Sequence, residues 1–237
     1  MSALPILMYH NIVLEKQKSV GLSLSAEKLE EQFKYLATKK YKTYHFSELH
    51  QLAKIAPKSV ILTFDDVTKN QMEYAIPLLK KYQLKATFFI PFQYVGGFDA
   101  WNEGTEPIMS VAELQAVPQN IELGYHSFAH LNFAEITPTA IQTDFDLSEN
   151  FIQQNKLKVY PAIAYPYGKY PKKENIQKTA FFESLQQNNM QFGLRIGNRV
   201  NQFPFKNPYE IKRINIKGED SLFKFKLKLK FGKLGVF

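Results

Sequence analysis

The sequence contains no cysteine. A disulfide scaffold, a thiolate metal site and a cysteine nucleophile are therefore excluded. Long apolar runs are also missing, and no stretch approaches the roughly 18 residues that a membrane-spanning helix needs. The segment Met1 to His10 has no basic start and no long apolar core before a small-residue cleavage site, so a secretory leader is not expected. There is no internal repeat, no low-complexity linker and no break in composition that would divide the chain. These absences point to a soluble, cytoplasmic protein of one domain spanning residues 1–237, with peripheral membrane contact left open.

The 237 residues are 45% hydrophobic and 22% charged, which is enough to bury a sizeable core and excludes disorder as the main description. The net charge is +8, and it is unevenly spread. Lys206 to Phe237 holds nine lysines and arginines against Glu210, Glu219 and Asp220, leaving the body close to neutral. Within that end, Phe223, Phe225, Leu227, Leu229 and Phe231 alternate with Lys224, Lys226, Lys228 and Lys230. Period two predicts a strand with one apolar and one basic face, part of a basic strand or tail at about 218–237. Such a strand fits an aggregation-resistant edge or contact with anionic lipid. Nucleic acid is not expected as a partner, because no recognised binding module accompanies the charge.

Short apolar runs alternate with helical stretches along the rest of the chain. Strands are predicted at Leu4 to Tyr9, Val60 to Phe64, Ala86 to Ile90, Ile121 to Tyr125, Val159 to Tyr165, Phe192 to Ile196 and Ile211 to Ile216. Helix starts are predicted at Ser25, at the Thr68 to Gln71 capping-box spacing with Pro77 as a clearer second start, at the Ser110 to Glu113 capping box, at Thr137-Pro138 and at Pro171. Strands alternating with helices imply parallel pairing, and this many units suggest an α/β fold, a distorted (β/α) barrel. The stretch from Pro91 to Met109 has no periodicity, and a loop of that length is usually functional.

Two residue pairs stand at predicted strand exits, where active sites of such barrels collect. Asp65 and Asp66 end the run Val60 to Phe64; on extended backbone they would point to opposite sides. His126 and His130 follow Ile121 to Tyr125, and on a helical turn residues four apart share a face. Taken alone, the aspartates also fit an acidic helix start, and the histidines fit one capping and one packed residue. Taken together, two imidazoles and a carboxylate can hold a divalent ion, with a second carboxylate free to accept a proton from water.

These motifs resemble the polysaccharide deacetylases of the NodB-homology type, carbohydrate esterase family 4. The matching residues are Thr63-Phe64-Asp65-Asp66, His126-Ser127-x-x-His130 and Pro166-Tyr167-Gly168, in the family's order and each just after a predicted strand. The resemblance implies metal-dependent removal of acetyl from an N-acetylated sugar of a glycan or glycan precursor, by hydrolysis of a carbon–nitrogen bond. It casts Asp65 as general base and Asp66, His126 and His130 as ligands to a divalent metal, usually zinc. The backbone N–H of Tyr167 would help hold the oxyanion. Val67 stands where the family has a glycine, and Ala164 where it has the arginine that orients the base. No histidine follows His130, so the family's late general acid is missing. Met8-Tyr9-His10 is similar to the start of the subgroup related to poly-N-acetylglucosamine deacetylases, which casts His10 as the acid. Those departures also support a competing reading, a non-catalytic glycan-binding or scaffold protein.

Trp101, Asn102 and Tyr94 lie in or beside the aperiodic loop. An aromatic face suits a sugar ring and an amide suits its hydroxyls, while Trp101 fits equally well as an anchor of the loop. With Pro166 they are the candidate substrate contacts. A lipid-linked glycan would suit a basic tail at a membrane surface.

Overall fold

The apolar runs become the staves of a closed barrel. The computed structural model describes residues 2–173 and 175–232. Its staves are β1 (Ile6–Tyr9), β2 (Ser59–Asp65), β3 (Ala86–Ile90), β4 (Ile121–Tyr125), β5 (Val159–Ala164), β6 (Phe192–Ile196) and β7 (Ile211–Asn215). Each pairs in parallel with the next, and β1 pairs with both β7 and β2, which closes the ring. Short strands add to the rim: Ser2–Leu4 runs antiparallel to Asn201–Phe203.

Period-two alternation sorts the side chains into two layers. Val60, Leu62 and Phe64 belong to the large cluster shared with the helices. Ile6, Ile61, Phe89, Ala162, Leu194 and Ile211 come from six different staves and pack together inside the barrel. Gly124 makes room for this plug, since a Cβ there would lie 2.6 Å from the Phe89 ring. Thr63 and Asp65 share the inward side with Ile61, so the end of β2 delivers a carboxylate to the barrel mouth.

Helix starts follow the capping residues. Ser25 accepts from the Lys28 N–H at the start of α1 (Ala26–Thr38), whose Leu29, Phe33 and Leu36 are buried. Ser110 and Glu113 form the expected capping box. Thr137 caps α2 (Pro138–Gln154) by accepting from the Ala140 N–H.

Three expectations are corrected. The helix placed at Pro171 begins at Ile176, because Asn175 supplies a side-chain cap that Tyr170, before Pro171, lacks. Helical structure starts directly after Thr68, as the capping-box spacing expects, and Pro77 does not begin a separate helix: a π turn over Gln71–Ala75 runs into Ile76–Lys81. Proline has no N–H for an i→i−4 bond, and a widened turn accommodates that loss. The basic tail strand is a helix, α3 (Leu222–Phe231). Ser221 caps it by accepting from the Lys224 N–H, and Phe225 and Leu229 bury against the body. Four-residue spacing between Phe225 and Leu229 had been masked by uniform alternation of apolar residues with lysine. The final residues of the tail, 233–237, lie outside the described residues.

Candidate active site

β2 ends on Asp65, and the next two residues, Asp66 and Val67, have φ values of 77° and 44°. This left-handed turn swings Asp66 back to the barrel mouth, so both carboxylates line one cleft and do not point to opposite sides. A β-branched residue at positive φ is strained. Val67 is held there by full burial of its side chain in the main core, at 0% exposure. The core contact replaces the backbone freedom that glycine would give.

Asp65 is buried and receives a hydrogen bond from the Arg213 guanidinium at 2.5 Å. Arg213 comes from the middle of β7, is itself 1% exposed, and stacks over the Phe89 ring. The arginine absent at Ala164 is thus supplied by a different stave. Burial alone would raise the Asp65 pKa, but the charge of Arg213 overrides it and, with His126 and His10, holds the carboxyl below the usual range. Asp66 has no such partner. Burial and then the neighbouring Asp65 charge push its pKa well up.

Asp66 Oδ1 lies 3.4 Å from His126 Nε2 and 3.5 Å from His130 Nε2. That oxygen is buried and makes no hydrogen bond among the described residues. The three donor atoms lie within 4.8 Å of one another, so some point lies within about 2.8 Å of all three, against metal bonds of roughly 2.0–2.2 Å. His126 Nδ1 is 2.7 Å from the Ala164 carbonyl oxygen, a bond that leaves Nε2 as the free donor. Burial lowers the pKa of both histidines, with His130 reaching about 2, so both stay neutral and able to ligate. An orphaned buried carboxylate oxygen facing two neutral imidazoles fits a divalent cation.

The two histidines do not sit on a helical turn. Residues 126–130 form a loop with Ser127 and His130 at positive φ. Asp144, buried on α2, pins it by accepting from Ser127 Oγ at 2.8 Å and from the Phe128 and Ala129 N–H groups. Replacing Asp144 with alanine should free this loop and weaken metal binding roughly ten- to a hundredfold, as read by zinc titration. Unchanged affinity would mean that the loop keeps its shape without the carboxylate.

His130 is sandwiched between aromatic rings. Trp101 stacks on it at 4.4 Å and Tyr167 meets it edge-on at 4.8 Å. Tyr94 packs edge-on against the far side of Trp101 at 4.7 Å. Trp101 therefore anchors its loop to His130 while also lining the cleft. Asn102 lines the cleft too, donating to Asp99 Oδ2 at 2.9 Å. Tyr94 is half-buried against Trp101, and Pro166 is buried beside Tyr167.

His10 leaves the end of β1, and its Nε2 stands 3.6 Å from Asp65 Oδ2. Burial lowers its pKa to about 4, against the upward pull of Asp65. Tyr167 opens the facing wall at a φ of 58°, next to Gly168, where a Cβ would lie 2.5 Å from Ile196. The cleft encloses about 360 Å³. A larger depression of about 720 Å³ sits at the other barrel end, lined by Ile121, Glu122, Val159 and Tyr160, away from the ligand cluster.

Comparison with known proteins decides the family. The sequence profile described as polysaccharide deacetylase matches residues 53–184. The chain belongs to the polysaccharide deacetylase family. A Bacillus subtilis polysaccharide deacetylase is 32% identical over 173 residues, 70% of this chain and 57% of that protein. The poly-beta-1,6-N-acetyl-D-glucosamine N-deacetylase of Staphylococcus epidermidis is 24% identical over 184 residues, 73% of this chain and 60% of that protein. The chain thus spans somewhat more than half the length of these relatives. The Streptococcus pyogenes deacetylase PplD, solved with acetate, superposes with a TM-score of 0.77 at 22% identity, covering 96% of this chain and 98% of that one. IcaB from Ammonifex degensii superposes with a TM-score of 0.74 at 18% identity, covering 97% and 98%. These likenesses show a deacetylase-type barrel.

Two residues of this candidate site carry little sequence signal. Arg213 was signalled only by a charge between isoleucines in a predicted strand. Asp144 was signalled by its place on the buried face of α2, beside Ile141, Phe145 and Ser148.

Proposed function

We propose that the chain is a metal-dependent hydrolase that removes acetyl from an N-acetylated sugar of a glycan or glycan precursor. The observation that carries this reading is the convergence of Asp66, His126 and His130 beside an Asp65–Arg213 pair in one cleft. Family membership and the N-deacetylase activity named for the staphylococcal relative support it.

Asp66, His126 and His130 would hold the ion, and two imidazoles with one carboxylate suit zinc best. Such an ion supplies Lewis acidity, polarising an amide carbonyl and making water more acidic. Asp65, kept ionised by Arg213, accepts the proton of the attacking water at Oδ2. His10 Nε2 faces that oxygen and is neutral at rest, so it can take up the proton that Asp65 removes from water and pass it to the leaving amine. The Tyr167 N–H, on the facing wall, is assigned to the developing oxyanion. Trp101 and Asn102 form the side against which the sugar would rest. Arg213 at Asp65 stands in for the arginine missing at Ala164, one of the departures that supported a non-catalytic glycan-binding or scaffold protein.

Acetate release from N-acetylglucosamine oligomers, run beside simple acetylated esters, tests the proposal. Faster chelator-sensitive release from the oligomers is expected. Release from esters alone would overturn the amide assignment, and no release from zinc-loaded protein would favour the binding reading.

A further inference from the structure

The helix α3 presents two unlike faces. Phe225 and Leu229 are buried, with Phe225 edge-on to Tyr35 of α1. Phe223, Leu227 and Phe231, spaced four apart, form a ridge on the other side. Phe223 is 70% exposed and Phe231 49%. Isolated apolar side chains on a surface are ordinary, but an aligned aromatic ridge is not. Lys226 and Lys230 flank it on one edge, Lys224 on the other pairs with Asp220 at 2.9 Å, and the helix itself carries no acidic residue.

The segment before α3 is bonded to a loop at the cleft. Just before α3, the Gly218 N–H donates to the Gly21 carbonyl at 3.1 Å, and the Gly21 N–H donates to Glu219 at 3.0 Å. These bonds tie the start of α3 to a loop whose Val20 and Leu22 are 59% and 47% exposed. Leu22 and Ser23 line the cleft.

We propose that this strip, from Leu22 through Val20 to Phe223, Leu227 and Phe231, docks the protein on an anionic phospholipid surface. Aromatic and aliphatic side chains would enter the headgroup boundary while the lysines meet lipid phosphates. No described helix is long and apolar enough to cross a membrane, so the contact is peripheral. Charge complementarity selects this occupant over a second copy of the chain, because a two-fold contact on the ridge would set lysine against lysine. Docked this way, the cleft mouth would open beside the headgroups, where a glycan tethered to lipid is presented. The docking does not depend on the reaction assigned to the cleft.

Flotation of the whole chain with phosphatidylcholine vesicles, with and without phosphatidylglycerol, tests the proposal. Wild type should float with the anionic vesicles and be released by salt. The double substitution Phe223→Ser with Phe231→Ser should weaken flotation at least about tenfold. Val20→Ser with Leu22→Ser should weaken it less. All four positions are exposed, so thermal unfolding should be nearly unchanged and loss of binding is separable from loss of fold. No flotation of wild type at low salt, or equal flotation of the Phe223→Ser/Phe231→Ser protein, would overturn the proposal. So would concentration-dependent self-association that the same substitutions abolish, which would make the ridge a contact between copies.

Discussion

Replacing Asp65 with asparagine should cut acetate release by roughly a hundred- to ten-thousandfold while metal stays bound. Asparagine keeps the shape of the carboxylate and loses its ability to accept a proton. Asp65 is not among the three donors that converge, so metal content should remain at the wild-type level. The change also strips Arg213 of its buried counter-charge, so thermal stability should fall. Rates therefore need to be compared at a temperature where both proteins are folded by near-ultraviolet circular dichroism. Near-wild-type release with metal retained would remove Asp65 as the base.

Arg213→Met should be the most destabilising single change at the site, by about 3–5 kcal/mol near neutral pH. Methionine fills part of the volume over Phe89 but leaves the Asp65 charge buried and unpaired. The sign with pH is informative. In wild type the folded Asp65 pKa lies below its unfolded value, so its contribution is present at neutral pH and is lost only as pH falls through that lowered value. Without Arg213 the burial effect wins and the folded pKa rises above the unfolded one. The deficit of the variant should then be largest at neutral pH and shrink as pH falls through the raised value, seen as converging urea midpoints. The acid limb of the rate profile should move to higher pH for the same reason. Parallel stability curves for the two proteins would show that Arg213 acts by packing alone.

Much of this was legible from residue order. The barrel followed from alternating apolar runs and capping residues, because each stave carries a buried apolar stretch and Ser25, Ser110 and Thr137 each supply a local acceptor. The convergence of Asp66, His126 and His130 was legible because they sit at strand exits. What failed was non-local or conformational. Arg213 reaches Asp65 across 148 positions of sequence, and only closure of the ring by β1 and β7 brings them together. The turn at Asp66 depends on a valine held at positive φ by the core, which a rule about extended strands cannot foresee. The loop carrying His126 and His130 takes its shape from Asp144 on α2. In α3, strict alternation of apolar residues with lysine imitates a strand. Burial of Phe225 and Leu229 and the Ser221 cap decide for helix, because tertiary contacts outweigh a weak local period.

The central claim is that Asp66, His126 and His130 hold one divalent ion that the reaction needs. The most direct measurement titrates zinc into chelator-stripped protein and follows bound metal and acetate release from N-acetylglucosamine oligomers on the same samples. Both should rise together and saturate at one ion per chain, and His126→Ala should lose both. Full release from metal-free protein, or one tightly bound ion retained in the His126→Ala protein, would contradict it.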